Sequence, residues 1–220
     1  MSGYCQPVEI RVPEGSRIAP AAGTGFADSH KGKLLAGLRL AEVYRFKVTE
    51  VPGEPGVELF PTVEVIDRLY PPPGLRLRFP VPVELTRDEL LMAAEGKFIT
   101  RVVYVEDPEL APPVDEDAEG GQRWLEAAPG EDPLVTADHL GRPIAIVRLG
   151  GRTPDTELPG GSFSYVSPEP LVYDTSLVPQ KKPRNGQPLG DGVIEITDDG
   201  LNGEAAEPLG ISAKPLGDAP

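Results

Sequence analysis

Residues 75–85 read Leu-Arg-Leu-Arg-Phe-Pro-Val-Pro-Val-Glu-Leu, with an apolar side chain at every odd position and Arg, Pro or Glu at every even one. Successive side chains of an extended chain point to opposite faces, so a period of two describes a strand with one face buried and the other wet. Pro80 and Pro82 fall on the outward face and have no N–H to give a neighbouring strand. The segment is therefore expected at a sheet edge, or interrupted there.

The same pattern recurs along the chain. Residues 8–12 (Val-Glu-Ile-Arg-Val) alternate and end at the turn-prone Pro13-Glu14-Gly15-Ser16. Within 41–51, Tyr44, Phe46 and Val48 share one face and Arg45, Lys47 and Thr49 the other. Residues 52–56 form a turn, and Pro61 splits 57–69 into two extended pieces, as a bulge or a change of sheet would. Tyr70-Pro71-Pro72-Pro73-Gly74 is a stiff corner, because successive prolines favour polyproline II. Thr86 and Glu89 have the spacing of a capping box and predict a short helix that stops at Gly96. The β-branched density of 98–106 predicts a central strand, and 143–149 predicts the last strand of the body. The Ala- and Gly-rich residues 19–38 read as a loop, and Asp138 to Arg142 as a turn.

Six or seven evenly spaced strands with one short helix make an all-β, antiparallel β-sandwich the expected fold. Within 83–104, a proline-bearing strand, a short helical turn and a Val- and Tyr-rich strand follow in order. This order resembles the crossing between the two sheets of an immunoglobulin-like or fibronectin-like module. The resemblance is architectural, since the paired cysteines and core Trp of immunoglobulin domains are absent. Residues 41–107 are also similar in texture to uncharacterised exported bacterial proteins, a likeness that implies no activity. The expected organisation is an N-terminal strand and Gly/Ala-rich loop over 1–40, a sandwich body over 41–150 with an acidic insertion at 107–135, and an extended Pro/Gly-rich tail over 151–220.

Charge follows the same division. Of the net charge of -14, residues 106–132 contribute -9 and residues 151–220 contribute -6, leaving the body almost neutral. Phosphate recognition needs clustered Lys and Arg, so nucleic acid and anionic membranes are not expected partners. No apolar run is long enough for a transmembrane helix, and the first twenty residues lack the layout of an export signal. The single Cys5 leaves no internal disulfide framework and no cysteine-based zinc site.

Catalytic constellations are scarce. His30 and His139 sit in loop-like and turn-like sequence and read as surface residues. No Gly-x-Ser-x-Gly elbow occurs, and Gly23-Thr24-Gly25 and Gly32-Lys33 both lack the remaining residues of a nucleotide-binding loop. Carboxylates are plentiful enough for an acid-type hydrolase, but the aromatic platforms of a sugar cleft are few. No cofactor is expected. Asp198, Asp199 and Asn202 mark the one oxygen-rich turn where calcium could bind irregularly, although the EF-hand spacing fails because Ala206 or Leu209 takes the place of the bidentate Glu.

The leading expectation is a non-catalytic structural protein of the cell surface or an extracellular assembly. It would self-associate, or dock on another envelope protein, through strand or tail addition. Val8, Ile10 and Val12 in the first strand, and Val193, Ile194 and Ile196 in the tail, are the candidate docking residues. The alternative is a module binding carbohydrate or protein, with Tyr70, Trp124, Tyr165 and Tyr173 as contacts. An acid-type hydrolase is the third reading.

Overall fold

The computed structural model describes residues 4–107, 109, 131–150 and 167–174. Eleven strands among them form two sheets. They are β1 (Cys5–Arg11), β2 (Arg17–Ala22), β3 (Gly25–Phe26), β4 (His30–Lys31), β5 (Lys33–Arg39), β6 (Val43–Thr49), β7 (Thr62–Val65), β8 (Val81–Glu84), β9 (Ile99–Glu106), β10 (Gly141–Leu149) and β11 (Leu171–Val172). The smaller sheet has the order β11-β5-β1-β8. The larger runs β3-β2-β6-β7-β10-β9, with β4 also paired to β2.

The apolar side chains of the two sheets face one another. Val8 and Ile10 of β1, Leu34, Ala36 and Leu38 of β5, and Val81 and Val83 of β8 meet Tyr44, Phe46 and Val48 of β6, Val63 and Val65 of β7, and Ala145, Val147 and Leu149 of β10 in one buried cluster. Two layers thus share one core. Among the named strands pairing is antiparallel except between β1 and β8, which run parallel with Val8 opposite Val81 and Ile10 opposite Val83. That pair departs from the purely antiparallel expectation.

The opening segment forms a shorter strand than its alternation predicts. Arg76–Arg78 closes a 3-10 turn, with the Arg78 N–H donating to Leu75 O at 2.8 Å, and only Val81–Glu84 is extended. The preceding corner and Gly74, with φ of 80°, turn the chain too tightly for a strand to begin at residue 75. The edge position does match, since β8 is the last strand of its sheet.

The helix α1 (Arg87–Ala94) begins on a complete capping box. Thr86 Oγ1 accepts from the Glu89 N–H at 3.3 Å, and Glu89 Oε2 accepts from the Thr86 N–H at 2.9 Å. Gly96, with φ of 89°, takes the left-handed position after it. Because β8 belongs to the smaller sheet and β9 to the larger, α1 carries the chain from one layer to the other.

Three further expectations are corrected. Residues 19–38 contain most of β2 and β5 with β3 and β4 between, rather than a loop. A second helix, α2 (Pro133–Leu140), stands where a turn was expected at Asp138. Asp132 Oδ1 caps the Leu134 N–H at 2.9 Å, and Pro133 occupies the first turn, where its missing N–H costs nothing. Strand β9 ends its sheet instead of lying inside it. Among the described residues, no helix is long and apolar enough to cross a membrane.

Candidate functional site

The smaller sheet has two margins, β5 and β8, and each is closed differently. Alternation along β1 and β5 turns the backbone groups of Leu35 and Gly37 away from β1. Onto them comes β11, from the part of the chain expected to be a tail, with Leu171 opposite Gly37 and Val172 opposite Ala36. The Tyr173 N–H continues the ladder to Leu35 O at 3.0 Å. Ser167 and Glu169 anchor the approach on the larger sheet: Ser167 Oγ accepts from the Arg45 N–H at 2.9 Å and Glu169 Oε1 from the Gly23 N–H at 2.7 Å. Residues 167–174 thus form a strap that bonds to both layers.

Gly37 makes room for it. A Cβ there would stand 2.6 Å from Tyr173 Oη and 3.1 Å from Cys5 Cβ, so the phenol ring lies over bare backbone. Burial pushes the Tyr173 hydroxyl above its ordinary pKa, since ionisation against the sheet would strand a charge. Leu171 and Val172 keep about half of their surface, 53% and 40%, in solvent.

At the other margin, the Leu85 N–H reaches Arg11 O at 2.9 Å. Alternation then turns the Val81 and Val83 N–H groups toward β1 and leaves positions 82 and 84 facing outward. Pro82 has no N–H to offer there. The Glu84 carbonyl is taken by Arg101 Nη2, which crosses from β9 and is also paired with Glu89 at 3.2 Å. Side-chain exposures of 10% and 13% place the Arg101–Glu89 ion pair largely out of solvent. Desolvation lowers the Arg101 pKa, and the Glu89 carboxylate opposes the shift.

A third feature lies at the corner after β7. Tyr70 is 69% exposed and carries the Arg68 guanidinium 4.6 Å from its ring centre, with Arg142 at 5.5 Å. Arg68 also lies 5.4 Å from the Tyr4 ring. The corner is pinned from below. Buried Gln6 accepts through Oε1 from the Leu69 N–H at 2.9 Å and from the Tyr4 hydroxyl at 3.1 Å, while Arg142 donates to Arg68 O and pairs with Asp67. Burial alone would raise the Asp67 carboxyl, but the Arg68 N–H and the Arg142 guanidinium outweigh it and hold the pKa below the usual carboxylate range. A shallow depression of about 390 Å³ opens beside the stack between Tyr4, Arg39, Leu40, Glu42 and Arg68.

Of the residues singled out from sequence, Tyr173 lies in the strap and Tyr70 in this cluster. Val8 and Ile10 are wholly buried in β1, and Val12 follows directly at 8% exposure. Strand β1 has partners on both sides, β5 and β8, so its backbone has no free edge to offer a neighbour. Trp124, Tyr165, Val193, Ile194 and Ile196, and the oxygen-rich Asp198, Asp199 and Asn202, lie outside the described residues. Arg68, Arg142, Gly37 and Arg101 were not foreseen. Apart from the Arg68–Tyr70 contact, which spans two residues, their roles depend on contacts between elements far apart in sequence, which no local motif encodes.

Among the described residues, no three His, Cys, Asp or Glu side chains gather as a metal site would require. No family model, curated protein or solved structure matches the chain.

Proposed function

We propose that this protein is a non-catalytic structural component of a cell surface or extracellular assembly, built as an immunoglobulin-like sandwich whose copies join by exchanging the strap. The observation that carries the reading is β11 seated on β5, a strand supplied by the tail to an edge with a glycine-lined place for it. The exported setting rests on the resemblance of residues 41–107 to exported bacterial proteins. The sheet-to-sheet crossing through α1 supports the immunoglobulin-like reading, and the parallel β1–β8 pair is where the chain departs from it.

Strap energetics favour exchange. Each backbone hydrogen bond contributes about 1 kcal/mol net, whereas ordering each residue costs about 1–2 kcal/mol. Tethering through residues 151–166 is then what keeps the strap seated, by raising its local concentration. In a crowded assembly, a neighbour's strap reaches comparable concentration and makes the same bonds.

Light scattering over a concentration series tests the idea on the full chain and on Gly37→Val. The wild type should associate as concentration rises, and deletion of 152–220 should abolish association. Gly37→Val, which places methyl groups where Tyr173 lies, should remain monomeric with an unchanged β spectrum. A wild type that stays monomeric at high concentration, or a Gly37→Val variant that associates equally well, removes the basis for the joint.

A further inference from the structure

We infer that the Arg68 stack with Tyr4 and Tyr70 is a recognition site for carboxylate side chains on an acidic peptide segment of a partner. This inference does not rest on strap exchange: Tyr4 lies near Tyr173 of the strap, but Arg68 and Tyr70 make none of the strap's backbone bonds.

Consider first what Arg68 lacks. Arg142 is paired with Asp67 and Arg39 with Glu42, but among the described residues no carboxylate is in ion-pair contact with Arg68. Its guanidinium lies between two tyrosine rings instead. Arg68 also donates to the Tyr70 hydroxyl, but a guanidinium carries five N–H donors, and those left over match a carboxylate. Counting Glu42 and Asp67 against Arg39, Arg68 and Arg142, the cluster keeps one positive charge in a chain whose net charge is -14. Long-range repulsion of a polyanion by the rest of the molecule is screened within about 8 Å at physiological salt, so the local site governs close contact.

Consider next why a peptide suits the site better than a sugar. A sugar platform needs an open ring face, and the Tyr70 ring already holds two cations at 4.6 and 5.5 Å. Tyr and Arg together at a rigid, exposed position are the composition of a protein-binding hot spot. Rigidity comes from Gln6, which is 1% exposed and ties both Tyr4 and the Leu69 backbone. A partner thus meets a preformed surface and loses little freedom on ordering it.

The test is fluorescence anisotropy of a labelled hexaglutamate peptide titrated with the full chain. Arg68→Gln and Tyr70→Ala both alter exposed side chains, and Arg87→Gln serves as a distant arginine control. Wild type and Arg87→Gln should bind alike, with affinity falling as salt rises. Arg68→Gln should weaken binding roughly tenfold or more, the loss expected for one charge-assisted bidentate contact, and Tyr70→Ala should weaken it less. Failure of the wild type to bind hexaglutamate would overturn the inference, as would Arg68→Gln binding at wild-type affinity. Binding of a neutral glycan that is lost on Tyr70→Ala and kept on Arg68→Gln would also overturn it, by showing a sugar platform in place of a carboxylate site.

Discussion

The β8 and β5 margins of the smaller sheet face the same problem, an outer strand with unpaired backbone groups, and answer it in opposite ways. At β8 the opportunity for pairing is taken away, because Pro82 removes a donor and Arg101 occupies the Glu84 acceptor. At β5 the donors and acceptors remain, and β11 fills them. A margin closed by its own side chains stays closed whatever surrounds it. One closed by an occupant stays closed only while that occupant is held, and an equivalent occupant from elsewhere can replace it. On the proposed reading, exchange would therefore take place at β5 and not at β8.

The largest effect that could break this comparison is expected at Arg101. Replacing Glu89 with Ala leaves a guanidinium that is only 10% exposed without that carboxylate, and it also removes half of the α1 capping box. Separating a buried pair in this way should cost about 3 kcal/mol or more, read as a lower urea midpoint at unchanged slope. A cost below about 1 kcal/mol, the range of a surface pair, would show that the β8 margin is not held from β9 and that its closure is as conditional as the other.

This contrast was only half legible in the sequence. Alternation at 81–85 and the two prolines pointed to an edge strand, because both signals are local and the strand has one wet face. The β5 margin was hidden for the opposite reason. Leu34, Leu35, Ala36, Gly37 and Leu38 are all buried, so the strand shows no alternation, and its small residues mimic a flexible loop. Residues 167–174 looked like tail because the composition of the stretch around them is rich in Gly and Pro, whereas its pairing is decided by a strand far back in the chain. Similarly, α1 announced itself through Thr86 and Glu89. Helix α2 is also signalled locally, since Asp132-Pro133 is a cap followed by a first-turn proline, but the turn-like residues 138–142 at its end mask it. The Tyr70 corner is expected as an exposed aromatic, and Arg68 lies only two residues from it, but Tyr4, Gln6 and Arg142 converge on it from separate segments, brought there by tertiary packing.

The strap's occupancy should depend on pH through Tyr173. Its hydroxyl ionises above the ordinary value of 10.0 while docked, because burial opposes the charge. Below pH 10 both docked and released forms are neutral, and docking is at full strength. As pH rises past that value, a released Tyr173 ionises and a docked one does not, so release becomes progressively favoured. Absorbance at 295 nm, recorded through an alkaline titration, should show Tyr173 among the late-ionising members of the six tyrosines, together with buried Tyr44. Tyr173→Phe should delete one late step. Ionisation of Tyr173 with the exposed tyrosines would mean that the ring is not seated over Gly37, and the contrast between the two margins would weaken.

The smallest change in stability and the sharpest test of the comparison come from Pro82→Ile. Position 82 points its backbone outward from β8 and its side chain into solvent, so substitution disturbs no core contact. Folding stability should move by no more than about 0.5 kcal/mol, as for other surface positions. What changes is the margin, since an N–H now faces solvent beside a β-branched side chain suited to a strand. If proline is what keeps β8 out of association, Pro82→Ile should associate in a way that Gly37→Val does not suppress, because the new contact bypasses the strap. Light scattering on the double variant separates the outcomes. Association that persists in it assigns the closure of β8 to the missing donor. A double variant that stays monomeric assigns that closure to Arg101 alone, and the proline then serves only to set the backbone of a short strand.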